Sequence, residues 1–264
     1  MVDKICLDGQ MISPDAFGEE KWQKLQELRR QSYVYQRIHV RDCCAPFLGR
    51  HMEIINSAMY TIYNTDFSIS ENRIASDIEV LLKANGLRNR GNSVLMMTFP
   101  GGNYIIEHDR QLLYDGFVVW HTRPMLRILP CDCPFMSYPT SMSKAIADYA
   151  AGNPEQITVI ENGRGILTNI DDEPLFLVKG NTAAVTPAEN GGAVTVMREL
   201  ILAACEAAGM EIIEHPLTRK MLAEADEAFT ASPQGIVSIK GWDNVRYFNI
   251  AAAKICTSLQ KLIG

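Results

Sequence analysis

The stretch Thr195-Val-Met-Arg-Glu-Leu-Ile-Leu-Ala-Ala-Cys-Glu-Ala-Ala-Gly-Met-Glu-Ile-Ile213 decides the fold. Val196, Met197, Leu200, Ile201 and Ala204 recur at helical spacing and predict one buried stripe. Thr195 stands before them as an N-cap, and Gly209 follows as the left-handed residue that ends the helix. Met210–Ile213 then reads as a strand, so the helix passes directly into a sheet. Downstream, Thr218 caps a short helix to Glu224. The run Leu222-Ala-Glu-Ala-Asp-Glu-Ala-Phe-Thr-Ala-Ser232 leads into strands over Glu227–Ala231 and Ile236–Ile239. A last helix is expected over about Asn249–Leu262.

Upstream of this stretch, a helix over Ser141–Ala151 is stopped by Gly152-Asn-Pro154. Strands are expected over Ile157–Ile160, Gly165–Thr168 and Leu175–Val178. The proline-rich run Leu129-Pro-Cys-Asp-Cys-Pro134, with Pro139 after it, has no periodicity and reads as a connection. Before it come a helix over Glu19–Arg30, a strand over Tyr33–Val40, a turn at Cys43-Cys-Ala-Pro46 and a helix from Gly49 to about Tyr63. A second helix is capped by Ser70 and ended by Asn85-Gly86. Three strands follow, over Ser93–Phe99, Asn103–Glu107 and Phe117–Thr122, the first two joined at Pro100-Gly-Gly102. Helices followed by antiparallel strands make an α+β domain. The expected organisation is a domain over 1–128, a linker over 129–139 and an α/β barrel-like domain over 140–264.

Composition narrows the function classes. The chain has 264 residues, is 47% hydrophobic and 21% charged, and carries a formal charge of −6. It can bury a large core, which excludes disorder as its main state. Its acidic balance gives no footprint for a phosphate backbone, so nucleic acid is not an expected partner. No apolar run approaches the ~18–20 residues of a membrane span, and the N-terminus lacks a signal-peptide pattern. Seven cysteines are an odd number spread over a long chain. They read as reduced thiols in a cytoplasmic protein. Cys131-Asp-Cys133 and Cys43-Cys44 lack the spacings of zinc or thiol-redox motifs, so no metal is expected.

The run Arg198–Thr218 with Leu222–Ser232 resembles the class IV aminotransferases, the fold-type IV pyridoxal-phosphate (PLP) enzymes. That family includes branched-chain and D-amino-acid aminotransferases and aminodeoxychorismate lyase. The matching pattern is an arginine-led helix, a strand, a short helix, and Ala225-Asp-Glu-Ala-Phe229 leading to a strand. Gly165-Ile-Leu-Thr168, Phe176-Leu-Val-Lys-Gly180 and Thr186-Pro187 resemble the preceding strands. Tyr33–Arg41 and Phe47–Ala58 resemble the family's first strand and helix more weakly. The resemblance covers roughly residues 33–260. It implies two domains, a cofactor cleft between them and a homodimer.

PLP chemistry needs a lysine for the Schiff base, an acid on the pyridine nitrogen, and donors around the phosphate. The resemblance places the lysine at Phe135. The nearest lysine, Lys144, follows inside a predicted helix, about 13 Å of helical rise away. The acid position reads Asn169, which can hydrogen-bond a ring nitrogen but supplies no charge. The phosphate threonine at the start of the strong helix reads Met197. The second phosphate threonine reads Pro233, which has no N–H, and the phosphate arginine reads Ile54. Five departures together imply the family fold without its cofactor. The expectation is therefore a protein with no PLP and a small-molecule role, or altered chemistry, in the cleft. The alternative is an active PLP enzyme that uses Lys144.

Other residues are candidates for the same cleft. Arg123, in His121-Thr-Arg123, is a candidate for a small anionic metabolite or for a structural ion pair. Phe135, Tyr138, Asn169, Thr195, Met197, Ser232 and Lys240 are the remaining ligand candidates. Asn190-Gly-Gly192, leading to Thr195, can offer backbone amides to an anion or be a plain loop. His51 reads as structural. His39, His108 and His215 have no partner at motif spacing, and no nucleophile-elbow motif occurs.

Overall fold

The computed structural model describes residues 4–13, 20–88, 91–112, 117–119, 123–132, 137–150 and 155–263. The chain divides into two compact units, 1–115 and 116–264. The expected linker over 129–139 starts inside a strand of the second unit.

The first unit is one antiparallel sheet with helices. Its elements are β1 (Ile5–Leu7), β2 (Gln10–Ile12), α1 (Glu20–Arg29), β3 (Val34–Val40), α2 (Leu48–Tyr63), α3 (Glu71–Ala84), β4 (Asn92–Thr98) and β5 (Tyr104–Gln111). The strand order is β2-β1-β5-β4-β3. β4 lies between β5 and β3 and every one of its residues is buried. One sheet face carries Tyr35, Leu95, Met97 and Ile105, which pack with Leu25 and Leu28 of α1. α2 packs on β3, and α3 on β5 and β1. Ser70 caps α3 through its hydroxyl, which accepts from the Arg73 N–H at 3.4 Å. Tyr104 ties β5 to α3 by donating to Asp77 at 2.6 Å.

Two tight turns set register in this unit. Asp8-Gly9 joins β1 and β2 with both residues at positive φ, the geometry of a two-residue hairpin turn. This hairpin was not expected from the sequence. Asp42 and Cys43 also have positive φ, and Arg41 and Cys44 exchange backbone hydrogen bonds of 2.8 Å across them. The expected turn at Cys43-Cys44 is therefore a hairpin end.

The second unit comprises β6 (Val118–Val119), β7 (Met125–Pro130), α4 (Ser141–Ala150), β8 (Gln156–Glu161), β9 (Leu167–Ile170), β10 (Glu173–Lys179), β11 (Thr182–Val185), α5 (Val196–Ala207), β12 (Glu211–Glu214), α6 (Arg219–Glu224), β13 (Glu227–Ser232), β14 (Gly235–Ser238), β15 (Gly241–Trp242), β16 (Val245–Arg246) and α7 (Ile250–Ile263). The main sheet path is β16-β15-β7-β8-β9-β10-β13-β14-β6, and β11 joins β10 to β12.

β10 shows why two layers cover this sheet. Its side chains alternate faces. Phe176 and Val178 enter a core with Met197 and Ile201 of α5, Phe229, and Ile255 and Leu259 of α7. Leu175 and Leu177 enter another, with Ala184, Leu217, Leu222 and Ala228. Phe176 and Phe229 stack across the strand pair with centroids 5.1 Å apart. β7 was missed because Leu129-Pro130, read as linker, ends a strand paired in parallel to β8. No helix among the described residues is long and apolar enough to cross a membrane.

Candidate functional site

The start of α5 is the best-defined polar centre. Thr195 has extended backbone geometry, and its hydroxyl accepts the Arg198 N–H at 3.2 Å. The same hydroxyl donates to the Glu173 carboxylate at 2.8 Å. Glu173 begins β10 and is 7% exposed. A buried carboxylate of the chain itself thus sits at the positive end of a three-turn helix. Met197, two residues into α5, faces away into the apolar core with Phe176 and Phe229.

The loop before α5 explains the glycines. A Cβ on Gly192 would lie 1.8 Å from the Thr186 carbonyl oxygen, so only glycine fits. Gly191 has φ 94° and closes the turn after Ala188–Asn190. The amides read as possible anion donors are used within the chain. Asn190 and Gly192 donate to the Pro187 carbonyl, Gly191 to Ala188, and Val194 to Ser137 at 2.6 Å. The anion reading of Asn190-Gly-Gly192 is corrected on this ground: the loop binds itself.

Asn169 lies on β9, opposite Pro174 and one step from the Ile170–Glu173 pair, and is 2% exposed. Of the sequence candidates, Thr195 bonds to Glu173, Asn169 lies on the strand paired with the start of β10, and Met197 faces the apolar core. The other sequence candidates are placed differently. Arg123 donates through Nη2 to three carbonyls, of Ile239 at 2.9 Å, Tyr247 at 2.7 Å and Phe248 at 2.8 Å. It holds the end of β14 to the segment before α7, by carbonyl contacts where an ion pair or a ligand was considered. Ser232 accepts from the Gln234 N–H in the β13–β14 turn at 3.2 Å. Lys240 is exposed and its N–H donates to Pro124. Tyr138 is half-buried in the segment before α4. Phe135, His121 and Pro134 lie outside the described residues.

Lys144 is on α4, and its ammonium reaches Asp148 one turn on, at 2.8 and 3.0 Å. In the first unit, Ile54 is buried at 2%. His51 is bonded to Gln36 at 2.9 Å, in keeping with a structural part. Burial, reinforced by His39, pushes its imidazole down to about 3. Six described cysteines are free thiols. Burial raises the Cys6 and Cys205 thiols to about 12, which leaves them un-ionised and unreactive.

Comparison with known proteins adds to this geometry. The model of the family described as amino-transferase class IV matches residues 142–242. A branched-chain aminotransferase from Thermoproteus uzoniensis, solved with norvaline, is 17% identical with a TM-score of 0.77, covering 100% of this chain and 95% of its own. The branched-chain aminotransferase of Escherichia coli is 17% identical with a TM-score of 0.70, covering 100% and 92%. A putative 4-amino-4-deoxychorismate lyase from Legionella pneumophila is 18% identical with a TM-score of 0.67, covering 88% and 90%. The chain has the class IV aminotransferase fold. Among curated proteins none matches significantly.

Within that class IV fold, sequence reasoning missed Glu173 and Glu227. Glu227 is 5% exposed and its carboxylate accepts the N–H groups of Ile250, Ala251 and Ala252 at 2.7, 2.8 and 3.1 Å. It is the glutamate of Ala225-Asp-Glu-Ala-Phe229, the class IV motif quoted above. The signal for Glu173 was a carboxylate leading into the apolar run Leu175–Val178, where an unpartnered charge is costly.

Proposed function

We propose that this chain is a class IV aminotransferase-fold protein whose PLP site is degenerate, and that it acts on or binds a small molecule carrying no phosphate. The observation that carries this reading is the Glu173 carboxylate on Thr195 at the start of α5. A helix N-terminus attracts an anion through its free amides and dipole. A second anion brought to the same place meets Glu173 at short range and low dielectric, where like charges repel strongly.

The other positions named by the resemblance support the same reading. Met197 faces an apolar core and offers no hydroxyl. Pro233 has no N–H, and Ile54 offers no charge. Asn169 supplies no negative group for a pyridine nitrogen. The described residues do not fit PLP, so no reaction step is assigned to it here. Arg123 is engaged by three carbonyls, which removes the cation that an anionic ligand was expected to meet. We further read the protein as a cytoplasmic homodimer; sedimentation at several concentrations measures that assembly.

The test is to mix the purified protein with PLP, reduce with borohydride, and look for a visible absorbance band and a covalent adduct by mass spectrometry. The expected result is neither. A stoichiometric adduct on Lys144 would overturn the reading and establish the displaced-lysine enzyme. Lys144 is instead paired with Asp148 on α4, which counts against that outcome.

A further inference from the structure

A cavity of about 330 Å³ opens on the second unit, between α6 and the strands β10, β11 and β12. Its size lies at the small end of the range that ligand sites occupy. Pairing across the sheet builds its floor. Leu177 of β10 stands opposite Ala184 of β11, and Ala184 opposite Ile213 of β12. Met221 and Ala225, in and just after α6, close the other wall. Ile213 is 41% exposed, so an apolar row three strands wide runs from the core to the surface.

Charge at the mouth is asymmetric. Two residues along the strands from this row, Lys179 stands opposite Thr182, and both line the cavity. The Thr182 hydroxyl is engaged, donating to Glu211 at 2.9 Å. Glu224 faces the same opening, and the Lys220 ammonium lies 4.0 Å from its carboxylate. Lys179 is exposed and has no ion pair among the described residues. His215 lines the cavity too. Its Nδ1 donates to the Pro216 carbonyl at 3.0 Å, which leaves Nε2 facing outward from that bond. The opening therefore combines an apolar floor with one unmatched cation.

We propose that this cavity is a binding site for a small aliphatic carboxylate. The alkyl chain lies along Leu177, Ala184, Ile213 and Met221, and the carboxylate pairs with the Lys179 ammonium. The site is separate from the start of α5, and it stands or falls independently of the reading given there.

Octanoate and octylamine are suitable probes, because they share a chain and carry opposite charges. Calorimetric titration of the full chain should show saturable binding of octanoate and none of octylamine. Chemical shifts of the Met221 and Ile213 methyl groups should move with the same titration. Lys179→Met keeps the apolar stem and removes the charge, and should weaken octanoate about 5- to 10-fold. Ala184→Phe fills the floor and should abolish binding. Lys179 is exposed, so its variant folds and decides the question even if Ala184→Phe does not. The proposal is overturned if octanoate does not saturate, if octylamine binds as well, if Lys179→Met binds unchanged, or if the two methyl groups stay still.

Discussion

Glu227→Ala tests whether the motif that reveals the fold is a backbone clamp. The carboxylate receives three successive N–H groups from the first turn of α7. Those donors have no partner inside the helix. Ala252 is 1% exposed, so its N–H loses its acceptor where water does not reach, at about 1–3 kcal/mol. Ile250 is 75% exposed, and its N–H can turn to water at a cost of roughly 0.5 kcal/mol, the net value of a weak hydrogen bond. Ala251 is half-buried and adds a similar loss. Removing a negative charge from a helix N-terminus adds about 0.5–1 kcal/mol. The expected total is about 3 kcal/mol, a large share of the 5–15 kcal/mol by which domains are typically stable.

Glu227→Gln keeps one acceptor oxygen and should cost about half as much, roughly 1–2 kcal/mol. Urea unfolding followed by far-ultraviolet circular dichroism measures both variants. A loss below about 1 kcal/mol for Glu227→Ala would refute the clamp, as would an equal loss for the two variants.

Three further outcomes follow from the same structure. His51 is held neutral by burial, with a folded pKa of about 3 against the ordinary 6.5. The unfolded chain takes up the proton first, so stability is complete above pH 6.5 and is lost as pH falls toward 3. Unfolding free energy should drop by about 2 kcal/mol between pH 7 and pH 5, and His51→Gln should remove that slope in urea titrations at each pH. Gly192→Ala drives a Cβ into the Thr186 carbonyl and should lower stability by about 2–4 kcal/mol, read as a shifted urea midpoint. Met197→Thr restores a hydroxyl where the family resemblance expects one. It should cost about 2–3 kcal/mol by placing that hydroxyl in an apolar core, without raising PLP affinity in a fluorescence titration, because Glu173 remains.

The readable parts of this sequence are those whose pattern is local. The stripe from Val196 to Ala204, capped by Thr195 and ended by Gly209, is α5 almost residue for residue. Ser70 and Thr218 cap the helices expected of them. The failures have physical causes. The Asp8-Gly9 hairpin carried a clear turn signal but only three residues of strand on each side. β7 is hidden by Leu129-Pro130, because a proline reads as a break although it can stand at a strand end. Arg123, Glu173 and Glu227 all bond to groups at least 22 positions away. No spacing rule reaches that far, so the polar architecture was invisible even where the fold was plain.

The matched motifs are themselves built on such long-range bonds. Thr186 donates to the Leu167 carbonyl at 2.6 Å and accepts the Leu217 N–H at 3.1 Å, joining β9 to the segment before α6. Glu227 clamps α7, and Phe176 stacks on Phe229 in the core beneath α5 and α7. Each of these residues belongs to the matched motifs, and each has its partner within the second unit. None depends on a cofactor to satisfy a buried group. Asn169, Met197 and Pro233 are positions where the resemblance leads one to expect ligand-facing residues of another kind. Here Met197 adds apolar contact to the core, and Glu173 supplies the negative charge at the start of α5. The matched motifs are therefore held by the chain's own groups. On the reading proposed above, the search for its function begins from ligands that tolerate Glu173.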